Sequence, residues 1–458
     1  MARPEDHEFD LVGFVDDDRS KLGLRIHGLR VLGGGDDLGI LIDKHRIDVI
    51  VLAISNASSE QRQRILDICS GTQAQVKVAP NFFDIVASPT VPLVRELRVS
   101  DLLGRSEAMV DRLSCARVLE GKYVMVTGAA GSVGSELCRQ IATFAPAKLV
   151  GLDNNESGLY DLAIELRSGV KPFQLEVVVA DVRNPAAISG AFQRVRPDVV
   201  FHAAAYKHVP LMEEFPAEAV AVNVHGTEVV LEAARKANAE RFVFVSTDKA
   251  VKPSSTMGAT KKLAEMLVTS NRHEPMLATA VRFGNVFGSR GSVVPTFARQ
   301  IQRGGPVTVT HPEMTRFFME ISEAAMLIIQ AAAMTRGNDL FMLEMGEPVK
   351  IDDLARRMIR MRGLRPDVDI EIVYTGVRPG EKLHEELVLD GDERFLTEHP
   401  MISRIESHKV PSGKVQLAKL YELAEAEHST ALVPALMEMC RDGSPQALSR
   451  PIDASAAG

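Results

Sequence analysis

Two patterns predict a doubly wound parallel α/β sheet for the centre of this 458-residue chain. The first is a series of apolar runs of strand length, each ending in small or acidic residues and followed by a segment of helical period. The second is the glycine-spaced turn Thr127-Gly128-Ala-Ala-Gly131-Ser-Val-Gly134, which follows one such run and opens a helix. Successive strand–helix units of this kind build a parallel sheet with helices on both faces.

The elements read as follows. Phe9–Val15, Val49–Ser55 and Gln75–Ala79 have strand character and Glu60–Cys69 helical character. Residues 1–115 are therefore expected to form a small α/β module, a truncated version of the central fold, ending in a mostly polar connector, Arg105–Leu119. The central domain, residues 116–290, carries strand candidates Val124–Thr127, Lys148–Asp153, Leu175–Asp181, Asp198–Ala203, Arg241–Thr247 and Ala278–Phe283. Helical intervals lie between them, as in Ser132–Thr143 and Ala219–Ala237. Beyond Asn285 the alternation breaks up, so residues 291–458 are read as a smaller substrate-binding part with C-terminal helices. Its end, Ser444–Gly458, is rich in Ser, Ala and Pro and is expected to fray.

Composition narrows the class. With 45% apolar and 25% charged residues the chain is ordinarily globular. A net charge of −8 without a basic tract argues against a binder that works by neutralising phosphates. Cys69, Cys115, Cys138 and Cys440 are too few and too scattered for a disulfide framework, which points to a reducing compartment. The start is charged and lacks a signal-peptide stretch. The richest apolar run, Ala324–Met334, falls well short of the ~20 residues that a membrane helix needs. The 12 histidines form no HExxH or cysteine-paired ligand set, so no metal is expected.

The glycine turn has a specific chemistry. Glycines allow a tight turn and a close approach of backbone to a pyrophosphate, which then sits at a helix N-terminus. Ala130, Ser132 and Val133 complete that loop. Asp153 ends the next strand, 19 residues beyond Gly134, where an acid reaches the ribose hydroxyls of a bound dinucleotide. The surrounding Asp153-Asn-Asn-Glu156 lacks an arginine for a ribose phosphate, which favours NAD over NADP. Asp181-Val182 and Ala203-Ala204 end the third and fourth strands of this Rossmann pattern, where an adenine contact and a close cofactor approach are expected; singly, each is ordinary strand-end chemistry.

The fifth strand runs into Ser246-Thr247-Asp248-Lys249-Ala250, and Met257-Gly-Ala-Thr-Lys261 follows. Together with Gly13-Phe-Val-Asp-Asp-Asp18, Val99-Ser-Asp-Leu-Leu-Gly-Arg105, His202-Ala-Ala-Ala-Tyr-Lys-His-Val-Pro-Leu-Met-Glu213, Arg282-Phe-Gly-Asn-Val286 and Arg378-Pro-Gly-Glu-Lys382, this stretch resembles the extended short-chain dehydrogenase/reductases. Within them it is similar to the nucleotide-sugar 4,6-dehydratases of capsule, O-antigen and protein-glycan biosynthesis, in particular the long membrane-anchored type acting on UDP-N-acetylglucosamine. The wider superfamily has Tyr-x-x-x-Lys where this chain has Met257-x-x-x-Lys261. A thioether cannot exchange a proton. Met257 is thus either plain core packing in a silent enzyme, or the methionine that the long dehydratases carry at this position.

The resemblance implies transient oxidation at sugar carbon 4, loss of water across carbons 5 and 6, and hydride return, with tightly bound NAD. It implies Lys249 as base, Asp248 as acid, Thr247 on the carbon 4 hydroxyl and Lys261 on the nicotinamide ribose. The base must be neutral, for which burial or Lys261 nearby would serve. Asn285 and Arg316 would hold the diphosphate of a UDP-sugar, and Arg378 and Glu381 the nucleotide end, since a guanidinium fork suits a diphosphate. Asn223 would lie near the reacting centre or serve the helix it sits in. A homodimer is expected through helix Thr256–Asn271, whose apolar stripe carries Met266 and Leu267. The expected location is cytoplasmic, or the cytoplasmic part of an inner-membrane protein. The alternatives are a nucleotide-sugar epimerase and a catalytically silent NAD-binding scaffold.

Overall fold

The computed structural model of the chain describes residues 10–53, 64, 68, 74–79, 95–96, 110–168, 173–270, 275–389, 391–406, 417–426 and 429–442. The expected 60–69 helix, the Val99–Arg105 motif, Cys69 and the 444–458 tail lie wholly or mostly outside these residues.

The larger compact unit comprises residues 107–292, 313–350 and 376–458. Its elements, in chain order, are α1 (Arg112–Leu119), β1 (Tyr123–Thr127), α2 (Ser132–Ala142), β2 (Lys148–Asp153), α3 (Glu156–Arg167), β3 (Gln174–Val179), α4 (Pro185–Val195), β4 (Val199–His202), α5 (Gly226–Lys236), β5 (Arg241–Val245), α6 (Thr256–Ser270), β6 (Leu277–Arg282), α7 (Ile321–Met334), β7 (Asp339–Leu343), β8 (Glu393–Leu396), β9 (Ile402–Glu406), α8 (Ala418–Glu425) and α9 (Leu432–Asp442). The nine strands form one sheet in the order β8-β9-β7-β6-β5-β4-β1-β2-β3. All pairs from β3 to β7 are parallel, and β9 and β8 add antiparallel at one edge. The order reverses between β1 and β4, which opens a crevice at the carboxyl ends of those strands, where ligands bind in such sheets.

The inner strands β1, β4 and β5 are buried along nearly their whole length, as parallel strands covered on both faces should be. Val124 and Val126 of β1 join one core with Leu137, Ile141 and Ile328, while Met125 joins the other with Val200, Phe242 and Phe244. Asn184 starts α4 by accepting from the N–H groups of Ala186 and Ala187, and Pro185 occupies the first helical position, where its missing N–H costs nothing.

Three expectations change. The connector does not stay polar and extended: Asp111 caps α1, whose Cys115, Val118 and Leu119 enter the first core, so that helix belongs to the larger unit. The boundary at 290 does not hold either, because β7, β8 and β9 from the C-terminal third complete the central sheet. The apolar stripe of α6, expected to face a second copy, is covered within the chain: Leu263 and Met266 pack with Leu420 of α8 and Leu432, Leu436 and Met439 of α9, and Leu267 lies against the same cluster.

The smaller unit comprises residues 1–106, 293–312 and 351–375. Its described N-terminal part has two three-stranded sheets, Phe14–Val15/Leu29–Gly33/Arg25–Ile26 and Val49–Leu52/Gln75–Val78/Arg95–Glu96, with helix Leu38–His45 between them in sequence. Each sheet contains one parallel pair. Its later segments contribute helices Val293–Gln302 and Ile351–Arg360 and the parallel pair Val307–Val309/Ile372–Tyr374. Among the described residues no helix is long and apolar enough to cross a membrane, and no cluster of three His, Cys, Asp or Glu side chains is placed to hold a metal.

Candidate active site

The turn after β1 is packed as a close-approach loop requires. Gly128 has φ 70°, and a Cβ there would lie 2.5 Å from the Ala204 nitrogen and 2.6 Å from the Ala203 carbonyl carbon. A Cβ on Gly134 would lie 2.0 Å from the Gly128 oxygen, and one on Gly131 would lie 3.0 Å from it. Gly131 is the N-cap of α2 and offers no side-chain acceptor, so the first-turn N–H groups face the crevice without a cap of their own. Asp153 braces this loop, accepting from Ala130 N–H at 3.0 Å and from Asn155 N–H at 2.9 Å. Arg290 lies over it: its N–H donates to Ser132 Oγ at 3.0 Å and its guanidinium to the Ala130 carbonyl at 3.2 Å. These groups fit the pyrophosphate and ribose of a dinucleotide. Sequence reasoning missed Arg290, whose flanking glycines, Gly288 and Gly291, both take positive φ.

The adenine-side residues are more committed to the fold than the sequence suggests. Asp181 is clamped by Arg183, whose Nε and Nη2 donate to it at 2.7–3.1 Å. Those bonds hold its carboxyl below the usual range. Val182 is a packing residue: a Cβ on Gly226 would lie 2.7 Å from its Cγ2.

Below the crevice runs a buried polar chain. Thr227 Oγ1 donates to the Asn223 carbonyl, so it accepts from His202 Nε2 at 3.0 Å, and His202 Nδ1 then accepts from Thr127 Oγ1 at 2.6 Å. Burial, with help from Lys261, lowers this imidazole to about 3, so it is neutral. Asn223 sits in a π-helical turn, Ala221–His225. Its Oδ1 accepts from Tyr206 N–H, and its Nδ2 donates to the Tyr206 carbonyl and to Thr260 Oγ1. Both amide hydrogens are spent, so Asn223 clamps the 203–207 loop and has no donor left for a substrate.

The end of β5 brings together Thr247, Asp248 and Lys249, the residues expected to move protons. Thr247 caps a short turn, Asp248–Ala250, and donates to Asp248 Oδ1 at 2.9 Å. Lys249 Nζ donates to the same oxygen at 2.9 Å and to Asn285 Oδ1 at 3.0 Å. Asp248 is fully buried, and its Oδ2 has no hydrogen-bond partner. One oxygen therefore takes two donors while the other is left for a hydroxyl. Beneath, Ser246 Oγ donates to Glu265, which grips the fully buried Arg282 through two bonds of 2.7 Å.

Lys261 and Met257 are both buried. Lys261 turns into the fold: its Nζ donates to the Val245 carbonyl at 2.7 Å and lies 3.9 Å from the Phe244 ring centroid. Burial lowers that amine to about 7. The cation within electrostatic reach of Lys249 is instead Lys207, whose own amine is lowered by partial desolvation and by Lys249. Met257 is buried in a small apolar cluster with Val209, Met212 and Ala219 and brings no proton-exchanging group.

The 378–386 segment docks on the turn that follows Lys249. Lys382 Nζ donates to the Val251 carbonyl at 2.7 Å, Ser254 Oγ to the Gly380 carbonyl at 3.0 Å, and Lys252 pairs with Glu386 at 2.8 Å. Arg316 is buried, donates to the Thr315 and Leu383 carbonyls, and stands 3.9 Å from Glu385. Arg378 is exposed, and its carbonyl accepts from Glu381 N–H, while Glu381 Oε2 is buried without a partner. Glu385 was not expected; in the run His384-Glu-Glu386 it reads as a solvated acid.

Residues 124–407 match the family model described as "Polysaccharide biosynthesis protein". The capsular polysaccharide biosynthesis protein CapD of Staphylococcus aureus is 44% identical over 393 residues, 85% of this chain and 65% of that protein, so the chain spans less than two thirds of it. The crystal structure of Pen from Bacillus thuringiensis is similar at TM-score 0.58 and 32% identity, over 63% of this chain and 89% of that one. The UDP-glucose 4-epimerase of Thermus thermophilus in complex with NAD shares the fold at TM-score 0.51 and 24% identity, over 58% of this chain and 90% of that one.

Proposed function

The chain belongs to the polysaccharide biosynthesis protein family, and we propose that it is a nucleotide-sugar 4,6-dehydratase acting on UDP-N-acetylglucosamine with resident NAD. The observation that carries this reading is Asp248 hydrogen-bonded to Lys249 at the carboxyl end of β5, with one carboxylate oxygen buried and unpartnered. Elimination of water needs a base and an acid side by side. Epimerisation at carbon 4 takes no proton from carbon 5 and expels no hydroxyl from carbon 6.

The cradle from Gly128 to Gly134, with Asp153 and Arg290, is the proposed cofactor site. Bound there, NAD supplies a hydride acceptor for carbon 4 and the same hydride for carbon 6. Everything else falls to side chains. Thr247 orients the carbon 4 hydroxyl. Moving one proton across the 2.9 Å Lys249–Asp248 bond turns the pair into a neutral amine and a neutral acid. The amine then takes the proton on carbon 5, acidified by the ketone beside it, and the acid protonates the departing hydroxyl on carbon 6. Lys249 returns its proton to carbon 5 after the hydride arrives at carbon 6. Asn285, bonded to Lys249, fixes the amine's direction. The diphosphate is assigned to Arg316 and Asn285, and the nucleotide end to Arg378 and Glu381.

Incubation with UDP-N-acetylglucosamine and NMR of the product tests the reading. A 4-keto-6-deoxy sugar supports it, a 4-epimer supports the epimerase, and unchanged substrate supports a silent scaffold.

A further inference from the structure

Oxidising an alcohol releases a proton as well as a hydride, and in the mechanism above neither Lys249 nor Asp248 is free to take that proton. Met257 has no basic atom, and Thr247 is an alcohol itself. We propose that Glu385 is the general base for the carbon 4 hydroxyl. The inference rests on the dehydratase reading for the later steps, but its first step applies to any oxidation at carbon 4.

The position of this side chain is unusual for a glutamate. It is 4% exposed, its Oε1 stands 3.9 Å from Arg316 Nε, and its Oε2 is buried with no hydrogen-bond partner. Buried carboxylates are normally satisfied, and an orphaned oxygen asks for a ligand. The segment is tied in place by backbone contacts: Thr315 N–H donates to the Leu383 carbonyl at 3.1 Å, and Lys382 reaches the Val251 carbonyl at 2.7 Å. The charged groups facing Glu385 are Lys249 and Asp248 from the catalytic turn, Arg316, and Lys382 of its own segment. Burial raises its carboxyl above the ordinary range, against the opposing pull of Arg316 and Lys382. Such a group is a stronger base than a solvated carboxylate.

The protons balance over a cycle that starts with Glu385 as carboxylate, Lys249 neutral and Asp248 protonated. The carbon 4 O–H bond breaks, its proton going to Glu385 while the hydride leaves to the nicotinamide. Lys249 takes the carbon 5 proton, the carbon 6–oxygen bond breaks, and Asp248 gives its proton to the leaving hydroxide, forming water. The hydride returns to carbon 6 and the Lys249 proton to carbon 5. Asp248 is then a carboxylate and Glu385 an acid. One proton passed from Glu385 to Asp248, each with an orphaned oxygen, restores the start.

Glu385→Gln, nearly isosteric, tests this. Removing a general base costs roughly 10²–10⁴-fold, so kcat should fall by that range while the affinity for UDP-N-acetylglucosamine stays within about threefold. Mixed with that substrate, the variant should develop no near-ultraviolet absorbance of reduced nicotinamide, whereas Lys249→Met, blocked later, should accumulate it. Glu385→Asp should recover part of the rate. In the wild type the rate should drop as the pH falls through the raised carboxyl value, and this limb should vanish in the residual activity of Glu385→Gln. Wild-type turnover by Glu385→Gln overturns the proposal. So does substrate-driven reduction in that variant, or a loss confined to binding or to folding as read by melting and retained cofactor. If the wild type oxidises the sugar without forming a 4-keto-6-deoxy product, the dehydratase reading fails; Glu385 stands or falls separately on the reduction step. Failure of both the wild type and Lys249→Met to form product or reduced nicotinamide contradicts both.

Discussion

Glu265→Gln should destabilise the larger unit by about 3 kcal/mol. Glu265 and Arg282 are 2% and 0% exposed at their side chains and share two bonds of 2.7 Å. Removing one partner of a buried ion pair costs about 3–5 kcal/mol, because the other charge stays buried without compensation. Asp392 is close enough to attract Arg282, which argues for the lower end. At roughly 2–4 °C per kcal/mol for a unit of this kind, the melting temperature should fall by about 6–12 °C. Thermal unfolding by circular dichroism at neutral pH reads this directly. The double variant Glu265→Leu/Arg282→Met removes both members of the pair and should melt above Glu265→Gln. The pH dependence has a definite sign. Burial alone would raise the Glu265 carboxyl, but Arg282 outweighs it and holds the group below its ordinary value. This contribution is present above the ordinary carboxyl range and is lost as the pH falls through the lowered value, so the gap between wild type and Glu265→Gln should close in acid. A variant melting within about 1 °C of the wild type at neutral pH would refute the argument.

Gly134→Ala places a Cβ 2.0 Å from the Gly128 oxygen, so the loop must open, and the purified protein should lose its cofactor, read as the NAD released on denaturation. Met257→Leu is close to volume-conserving and should cost less than about 1.5 kcal/mol while keeping most turnover; a loss of several orders of magnitude with normal folding and retained NAD would give the thioether a role it lacks here. Asp153→Ala should weaken the preference for NAD over NADP in binding titrations, and a wild-type preference for NADP would contradict the assignment of Asp153.

The central sheet was legible because its inner strands are buried on both faces, so Val124–Val126, Val199–Phe201 and Phe242–Val245 appear as apolar runs. The glycine turn was legible for a local reason: its constraint is steric and lies within seven residues. The domain boundaries were not. β7 to β9 join the sheet from far along the chain, and pairing partners at that separation leave no local signal. The cover over the apolar stripe of α6 was not legible for the same reason, since much of it comes from residues 417 onward. The contact of Lys261 Nζ with the Val245 carbonyl was not legible, because a four-residue spacing fixes a helix face but not what the end of a long side chain meets. Glu385 and Arg290 were missed because each is brought to its site by a loop, and a lone acid or arginine in a polar stretch reads as solvated.

The proposed reaction is an oxidation, an elimination and the return of the same hydride, and one isotope experiment follows that hydride. UDP-N-acetylglucosamine carrying deuterium at carbon 4 is turned over in ordinary water, and the product is read by NMR and mass spectrometry. The expected product is a 4-keto-6-deoxy sugar with the deuterium at carbon 6. Deuterium found again at carbon 4 of an intact 6-hydroxy sugar would contradict it.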